Sequence, residues 1–387
     1  MQQIVIKNFG PISNAEIQIK KTVILIGENA VGKSTITKLI STFLWIEKAL
    51  FRGAAKEWFE KENRLKNFFL PYHRIENFLV PESVIEYRGK AFTIKYINKK
   101  ISVKVQTESN YRLPQIMYVP AERNFLTYLR TTRDIKSEGA LQDFEREYFN
   151  AANNLKGSLS LPISNFEIEY NKTHKMLYVK NKNHKKIKIT EAASGLQSFV
   201  PLYLVSDYLS KLVQNNGNND TMSSGDIRKF QKEMNEILNN KNLSEQQKHI
   251  AISVLSSRFN KKVFVNIVEE PELNLFPVSQ MQLIKSLVAI SNQNEEDKLI
   301  ISTHSPYVLA TINNLILAKR AGEKYPDKVN AKVNKHLWLN FDDVFAAVVQ
   351  DGKIEELIDK EFGMIQIEQI DSVSRIINEE FDFLHQL

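Results

Sequence analysis

The chain opens with a pattern of apolar and polar positions that is typical of short β-strands. Alternation over Ile4–Lys7 and Ala15–Ile19 predicts two half-buried strands, and the continuous apolar run Val23–Ile26 predicts a buried parallel strand. A glycine-containing segment follows, and the apolar period then changes to that of a helix over Lys33–Leu50. The first 50 residues therefore contain a strand, a loop and a helix in direct succession.

Strand and helix patterns continue to alternate along the rest of the chain. Further helices are predicted at Ala54–Leu79, Gly139–Leu155, Leu196–Leu212, twice within Ile227–Phe259, and at Val278–Ser291. Further strands are predicted as a meander over Val84–Val105, at Gln115–Val119, three times within Asn165–Thr190, and at Val263–Val268 and Lys298–Ser302. The polar stretch Gln214–Asp226 predicts an exposed loop. This order favours an α/β fold with a parallel sheet and added antiparallel hairpins.

Composition excludes several classes of site. The 387 residues include no cysteine, which excludes disulfides, thiolate zinc sites, iron–sulfur clusters and cysteine nucleophiles. No apolar run approaches the roughly 18 residues of a membrane span, and the N-terminus lacks the layout of a signal peptide. We therefore expect a cytoplasmic protein with no membrane contact.

Charge is distributed unevenly along the chain. The net charge is +7, but residues 341–387 contain 12 acidic and 3 basic residues. The segment Asn171–Lys188 has seven lysines and no acid, and Lys95–Lys104 and Lys319–Lys335 are weaker basic segments. The lysines of Asn171–Lys188 predict either a salt-dependent, non-specific contact with DNA or a solvated hairpin whose charges prevent edge aggregation.

The glycine segment carries the most specific motif. It matches G-x4-G-K-S in full and comprises Gly27, Glu28, Asn29, Ala30, Val31, Gly32, Lys33 and Ser34, with Thr35 next in the helix. Such a loop points backbone N–H groups at phosphate oxygens, and the dipole of the following helix adds to the attraction. Lys33 is expected to reach the β- and γ-phosphates of ATP, and Ser34 to offer its hydroxyl to Mg²⁺.

Two later segments add candidate catalytic groups. The strand Val263–Val268 ends in Glu269 and Glu270, which predicts that Glu269 serves the Mg²⁺ shell and that Glu270 polarises the attacking water. His304 follows the strand Lys298–Ser302 and is expected to contact the γ-phosphate and that water.

A fourth segment resembles the signature motif of ATP-binding-cassette (ABC) proteins. Ala193-Ser194-Gly195-Leu196-Gln197 has a leucine where the family has its second glycine. The resemblance implies that Ser194, Gly195 and Gln197 contact the γ-phosphate of a nucleotide held by another subunit. An ordinary helix N-cap at Ser194 is the alternative.

Together these motifs resemble the ABC-type ATPases of the SMC, RecF and OLD lineage. Residues 269–272 (Glu-Glu-Pro-Glu), 303–306 (Thr-His-Ser-Pro) and 118–124 (Tyr-Val-Pro-Ala-Glu-Arg-Asn) are most similar to the OLD-like branch. The last segment lies where the family has its Q-loop. Gln115 lies at the start of the strand there and not after it, so Glu122 or Arg123 is considered as a substitute sensor of the γ-phosphate. The alternative is that these two residues pair with each other.

The resemblance implies one ABC-type P-loop NTPase head over residues 1–387, with a mixed sheet, an antiparallel β-hairpin subdomain, a helical subdomain and no long coiled coil. The implied parts are a nucleotide-binding core (1–50, 110–135 and 260–340), a helical and β insertion (51–109), a signature and helical lobe (136–259) and an acidic C-terminal segment (341–387). ATP would be sandwiched between the heads of a homodimer or a higher homo-oligomer.

Two short intervals narrow the resemblance. The 161 residues from Lys33 to Ser194 leave no room for long coiled-coil arms, and the 83 residues after His304 are few for an appended effector domain. The chain in this respect resembles stand-alone OLD-like ATPases of bacterial anti-phage modules, such as the ATPase subunit of the PARIS system, and the resemblance implies a separate effector, a nuclease or a toxin. The alternatives are a DNA-repair ATPase that acts directly on DNA and a nucleotide-dependent scaffold with little turnover.

Overall fold

The computed structural model describes residues 2–106, 110–129, 137–163, 165–181, 186–216, 224–257, 261–366 and 372–385. The strands are β1 (Gln3–Phe9), β2 (Ile12–Gln18), β3 (Thr22–Ile26), β4 (Leu79–Arg88), β5 (Phe92–Ile97), β6 (Lys100–Val105), β7 (Pro114–Val119), β8 (Ser158–Ser160), β9 (Phe166–Asn171), β10 (Met176–Asn181), β11 (Ile187–Lys188), β12 (Val263–Glu269), β13 (Lys298–Thr303), β14 (Val344–Gln350), β15 (Lys353–Glu356), β16 (Ile358–Asp359) and β17 (Met364–Ile365). The helices are α1 (Lys33–Phe51), α2 (Lys56–Phe59), α3 (Gly139–Asn154), α4 (Ser194–Asn216), α5 (Ser224–Asn239), α6 (Glu245–Ser257), α7 (Pro277–Ser291), α8 (Pro306–Lys324), α9 (Pro326–Lys332) and α10 (Ser372–His385).

One large mixed sheet organises the molecule. Its 11 strands follow the order β6-β5-β4-β1-β2-β15-β14-β3-β13-β12-β7. The last five strands of this order, from β14 to β7, are mutually parallel, whereas β6, β5, β4, β1 and β2 form an antiparallel meander. The carboxyl ends of β3, β12, β13 and β7 therefore meet at one edge of the sheet. The expected α/β class with a mixed sheet is confirmed.

The parallel strands are buried on both faces. In β3, Ile24 and Ile26 pack in a core with α3, α4, α7 and α8, while Val23 and Leu25 pack in a second core with α1. All seven residues of β12 are buried as well. Burial on both faces explains why these strands have continuous apolar runs rather than alternation.

The segment 54–79 departs from its sequence pattern. A single helix was the expectation for Ala54–Leu79, and this is wrong: the segment contains α2, a π-helical turn at Leu65–Phe69 and two 3₁₀ turns. Pro71 lacks an N–H group and cannot continue a helix, and Arg74 is left-handed with φ 57°. The apolar spacing instead serves a cluster of aromatic rings, which comprises Trp58, Phe59, Phe68 and Phe69.

Two boundaries predicted from the sequence fall elsewhere in the structure. Residues 344–350 form β14, which lies beside β3 in the centre of the sheet, so a division of the chain at residue 340 does not follow the sheet. The loop expected at Gln214–Asp226 falls largely on residues 217–223, which lie outside the described residues, and α4 and α5 occupy its two ends.

Of the helices that the structure describes, α4 is the longest at 23 residues, and none is long and apolar enough to cross a membrane.

Candidate nucleotide site

The glycine loop joins β3 to α1 at the carboxyl edge of the parallel strands. Gly27, Ala30 and Gly32 have positive φ angles of 152°, 62° and 109°. At Gly27 a side chain would collide with the carbonyl oxygen of Val349. The loop thus needs glycine there because it passes directly over the neighbouring strand.

The N-terminus of α1 has the features of an anion site. Gly32 is its N-cap and supplies no side-chain cap, and the first turn carries no acidic residue. The N–H groups of a first helical turn have no intrahelical partner, and the helix of 19 residues places its positive dipole end there. The loop and helix therefore fit the phosphate groups of a nucleotide.

Lys33 is 4% exposed and folds back over the loop. Its Nζ donates hydrogen bonds to the carbonyl oxygens of Gly27 (2.9 Å) and Glu28 (2.5 Å). Burial lowers the pKa of Lys33, while the negative charges of Glu270 and Glu272 oppose that shift. The ammonium group is thus held at the loop by carbonyl groups that a phosphate could replace.

His304 bridges the lysine and the second acid of the pair. Its Nδ1 lies 3.3 Å from Lys33 Nζ, and its Nε2 lies 3.4 Å from Glu270 Oε1. Because an ammonium group can only donate, we assign Nδ1 as the acceptor, which leaves the proton of a neutral imidazole on Nε2, the nitrogen nearer to Glu270. The backbone N–H of His304 donates to Glu272 Oε1 (2.6 Å), which fixes the start of the histidine segment.

Glu270 has an unusual backbone conformation. Its φ is 42°, a left-handed value that costs a residue with a side chain about 1–2 kcal/mol. The strand neighbour holds it there, since Glu270 N–H donates to the carbonyl of Ser302 (2.8 Å). The turn directs the carboxylate of Glu270 toward His304, whereas Glu269 stays in the strand.

Glu269 is 5% exposed and has a different environment. Its Oε1 accepts a hydrogen bond from the Tyr118 hydroxyl (2.5 Å), and its Oε2 accepts one from the backbone N–H of Ala121 (3.2 Å). Lys38 Nζ lies 4.0 Å from Oε1. Tyr118 also lies 3.3 Å from the Thr37 hydroxyl, which donates to the carbonyl of Ser34 (3.1 Å). Glu269 is thereby connected to the first turn of α1.

These oxygen donors fit a magnesium ion that is held mainly by nucleotide and water. Mg²⁺ in phosphoryl-transfer sites keeps several waters and takes one or two protein oxygen ligands. The hydroxyl of Ser34 and a water-mediated contact from Glu269 would suffice. Among the described residues there is no group of three or more His, Asp or Glu side chains that could hold a metal. These residues therefore do not supply a complete set of protein ligands.

Arg123 lies beneath this site and is completely buried. Its guanidinium donates only to carbonyl oxygens, those of Ser198 (3.0 Å), Pro120 (3.2 Å), Glu269 (2.7 Å) and Glu270 (2.6 Å). Burial lowers its pKa to about 10, and the surrounding carboxylates oppose that shift. Arg123 therefore neither pairs with the exposed Glu122 nor faces a nucleotide; it joins three segments of backbone. Gln115 lies near the start of β7, away from the carboxyl edge.

The signature-like segment begins α4. Ser194 is exposed at the helix start, and Gly195 allows close packing because a Cβ there would lie 2.8 Å from the carbonyl oxygen of Asn274. Gln197 is 7% exposed and its amide group turns inward, donating to the carbonyls of Ile189, Thr190 and Ala192. Three residues were expected to contact a second nucleotide. Of these, Ser194 faces outward at the helix N-terminus, Gly195 packs beside Asn274 and Gln197 turns inward.

The basic hairpin is less positive than its sequence indicates. β9 and β10 pair in a separate four-stranded sheet, and Lys180 and Lys186 form ion pairs with Glu167 (3.1 Å) and Glu169 (2.9 Å) of β9. Lys188 pairs with Glu191 (3.1 Å). Lys172 and Lys175 are exposed, and positions 182–185 lie outside the described residues. The three paired lysines fit the solvated-hairpin interpretation better than a DNA contact.

Some site residues were not recognisable from local sequence. Tyr118, Thr37 and Glu272 had no assigned role, although Tyr118 and Glu272 stand within motifs that carried the resemblance. Their partners are 151, 81 and 32 residues away. The only signal for such residues is a buried carboxylate, which needs hydrogen-bond donors nearby. Which residues supply those donors can be read only once the strand order is known.

The glycine loop before α1 and the acidic pair after a parallel strand define a P-loop ATPase domain. The chain belongs to the AAA ATPase domain family, whose model matches residues 90–309, more than half of the chain. The matched region contains Ser194, Glu270 and His304 and begins after the glycine loop. No curated protein matches the sequence.

Solved structures show distant similarity. The SMC head domain from Thermotoga maritima is 10% identical with a TM-score of 0.38, over 92% of this chain and 97% of that one. The Smc head domain with an extended coiled coil from Pyrococcus furiosus, bound to the C-terminal domain of ScpA, is 10% identical with a TM-score of 0.36, over 98% and 100%. The ATP-binding cassette MJ0796, in a dimeric state with ADP and Pi, is 10% identical with a TM-score of 0.31, over 91% and 96%.

Proposed function

We propose that this protein binds and hydrolyses ATP, and that its whole chain forms one ABC-type head. The observation that carries the proposal is the row of contacts from Lys33 through His304 to Glu270, of 3.3 and 3.4 Å. Lys33 and His304 are 271 residues apart, and the sheet brings them together at the edge where phosphate would bind. Membership of the ATPase domain family supports the same activity.

Each side chain has a separate task in this reaction. Lys33 leaves the carbonyls of its loop and neutralises the β- and γ-phosphates. Glu270 accepts a proton from the attacking water as its general base, and the Nε2–H of His304 orients that carboxylate. Mg²⁺, when bound through Ser34 and Glu269, supplies neutralisation of the phosphate charge.

The assignment is tested by ATP turnover and nucleotide binding in three variants. Lys33→Ala should lose ATP binding, because the phosphate charge is no longer neutralised. Glu270→Gln should bind ATP but hydrolyse it about 10²–10⁴-fold more slowly, the usual contribution of a general base. Glu295→Gln, an exposed acid elsewhere, is the control and should behave as the wild type. Wild-type turnover by Glu270→Gln would overturn the role of Glu270, and tight ATP binding without turnover in the wild type would indicate a scaffold.

We further propose that two heads enclose ATP head to tail as a homodimer. Ser194 is exposed at the N-terminus of α4, a helix of 23 residues that carries no acid in its first turn. Such a terminus attracts an anion, and a γ-phosphate held by the facing subunit would supply one. ATP should therefore favour the dimer and ADP should release it.

The biological role that we propose is control of a separate effector, a nuclease or toxin, in a cytoplasmic anti-phage module. The similarity of residues 269–272 and 303–306 to OLD-like ATPases supports it. α10 adds a suitable surface, since Ile377, Phe381, Phe383 and Leu384 are 57–65% exposed. The test measures protection against phage in cells that co-express this protein with the product of the adjacent gene. The double variant Phe381→Ser/Phe383→Ser is compared with the wild type. A module that protects against phage equally well without ATP turnover and with both serines would contradict this role.

A further inference from the structure

A cavity lies apart from the glycine loop. It has a volume of about 80 Å³ and is lined by the second half of α1, by β7, by α3 and by the turn at residues 69–73. No residue of the glycine loop lines it. Aromatic rings form much of its wall, namely Trp45, Phe69, Tyr72 and Tyr118. A space of this size accommodates several waters or one tetrahedral oxyanion.

Two lysines give the cavity a positive charge. Lys48 lines it from α1 and is only 8% exposed, and Lys261 lines it from the approach to β12. Within the described residues, neither ammonium group has a hydrogen-bond or ion-pair partner. A buried ammonium group without a counterion is costly, so a site that retains one is suited to an anion.

The electrostatic interactions of the two lysines also indicate a site for an anion. Burial lowers the pKa of Lys48 well below its usual value, and the charges of Arg52 and Lys261 lower it further. Burial lowers the pKa of Lys261 to about 8, against the opposing effect of Glu147. Burial and mutual repulsion thus disfavour the charged form of the two lysines, and an anion bound between them would favour that form.

The acids of the cavity are already engaged by other groups. Asp143 pairs with Arg146 (2.8 Å) and accepts a hydrogen bond from the Tyr72 hydroxyl (2.7 Å). Glu147 lies 3.7 Å from the same guanidinium. Because Arg146 and Tyr72 take up these carboxylates, the charge of the two lysines is offset only by the longer-range effect of Glu147 on Lys261.

We propose that this cavity binds a phosphate-type oxyanion between Lys48 and Lys261, either inorganic phosphate or the phosphate group of a nucleotide whose sugar and base extend beyond the cavity. Lysines bind phosphate as point charges. The occupant would lie beside Tyr118, whose hydroxyl contacts Glu269 in the ATPase site. This site is separate from the proposed ATP site and does not depend on ATP hydrolysis.

The test uses the full chain with Lys33→Ala, so that the glycine loop does not bind the probes. Inorganic phosphate, AMP and adenosine are titrated by calorimetry and by tryptophan fluorescence, to which Trp45 contributes. Comparable binding of phosphate and AMP assigns the site to the free ion. Binding of AMP at least 10-fold tighter than phosphate, with no binding of adenosine, assigns it to a nucleotide.

Lys48→Met in the same background removes the charge and keeps the volume. It should fold at least as stably, because a desolvated charge is gone, and should bind the preferred probe about 10- to 100-fold more weakly, the range expected for a contact to a charged group. Lys261→Met should do the same and serves if the first variant fails to fold. Lys319→Met, whose side chain is 44% exposed, is the control. Absence of binding at millimolar probe, or binding unchanged in both cavity variants, would overturn the proposal.

Discussion

The guanidinium of Arg123 donates a hydrogen bond to the main-chain carbonyl of Glu270 over 2.6 Å, from a completely buried position. The same side chain donates to the carbonyl of Ser198, in the second turn of α4, over 3.0 Å. One residue thus connects the backbone of the proposed general base with the helix that begins at the signature-like segment. A displacement of α4 would therefore change the support of Glu270.

Replacement of Arg123 by methionine should destabilise the protein strongly. Four carbonyl oxygens would lose their donor at a completely buried position, and each buried acceptor left unsatisfied costs about 1–3 kcal/mol. Urea denaturation measures the change in the free energy of unfolding. Arg320→Met is the matched control, since Arg320 is exposed and bonds a single carbonyl, that of Phe362, so its loss should cost under about 1 kcal/mol. Equal stability of the two variants would contradict the linking role.

Tyr118→Phe should slow ATP hydrolysis while ATP binding is largely retained. The change removes the donor to Glu269 and keeps the ring, and a hydrogen bond to a charged group contributes about 1.5–3 kcal/mol. The stability of the variant and its kcat and KM for ATP are measured together. Tyr128→Phe provides a comparison, because Tyr128 is 57% exposed and bonds Gln197 rather than the acidic pair. The proposal fails at this point if both variants have the same kcat.

Mixed dimers test whether the active site is shared between subunits. Ser194→Arg should block hydrolysis while leaving ATP binding intact, because a large side chain at the exposed start of α4 would keep the second head away. Lys33→Ala abolishes binding in its own loop. A mixed dimer of these two variants has one site with both changes and one site with neither, so co-expression should restore part of the turnover.

Each variant alone serves as the baseline for that experiment, and turnover is followed across protein concentration. Full activity in a monomer, with no gain on mixing, would show that each chain hydrolyses ATP unaided. A constitutive dimer would still show the gain, provided that the subunits are co-expressed.

Asp297 should make the stability depend on pH. Its carboxylate accepts a hydrogen bond from the backbone N–H of Phe264 (2.7 Å), and burial raises its pKa from 3.8 to about 7. Between these two values the folded state binds a proton that the unfolded state does not, so stability falls as pH rises from about 4 to about 7. Asp297→Asn should remove this slope and be the more stable protein at pH 8. Urea midpoints at pH 5, 6, 7 and 8 give the difference, and parallel curves for the two proteins would refute the prediction.

The sequence by itself determined those parts of this protein whose interactions join residues that are close together in the chain. The glycine loop is recognisable because its glycines, lysine and serine act within eight consecutive residues, next to a strand and a helix. The buried strands β3, β12 and β13 are recognisable because burial on both faces demands a continuous apolar run. The segment 54–79 shows the limit, since aromatic packing can imitate the spacing of a helix.

Only the tertiary structure decided which groups meet at the site. The order β3-β13-β12-β7 places Lys33, His304 and Glu270 at one edge, and the register of β7 beside β12 brings Tyr118 to Glu269. The same neighbours bury Arg123 among carbonyls instead of exposing it to a nucleotide. These contacts join residues 32 to 271 positions apart, and the burial that makes each of them strong exists only after the strands have paired.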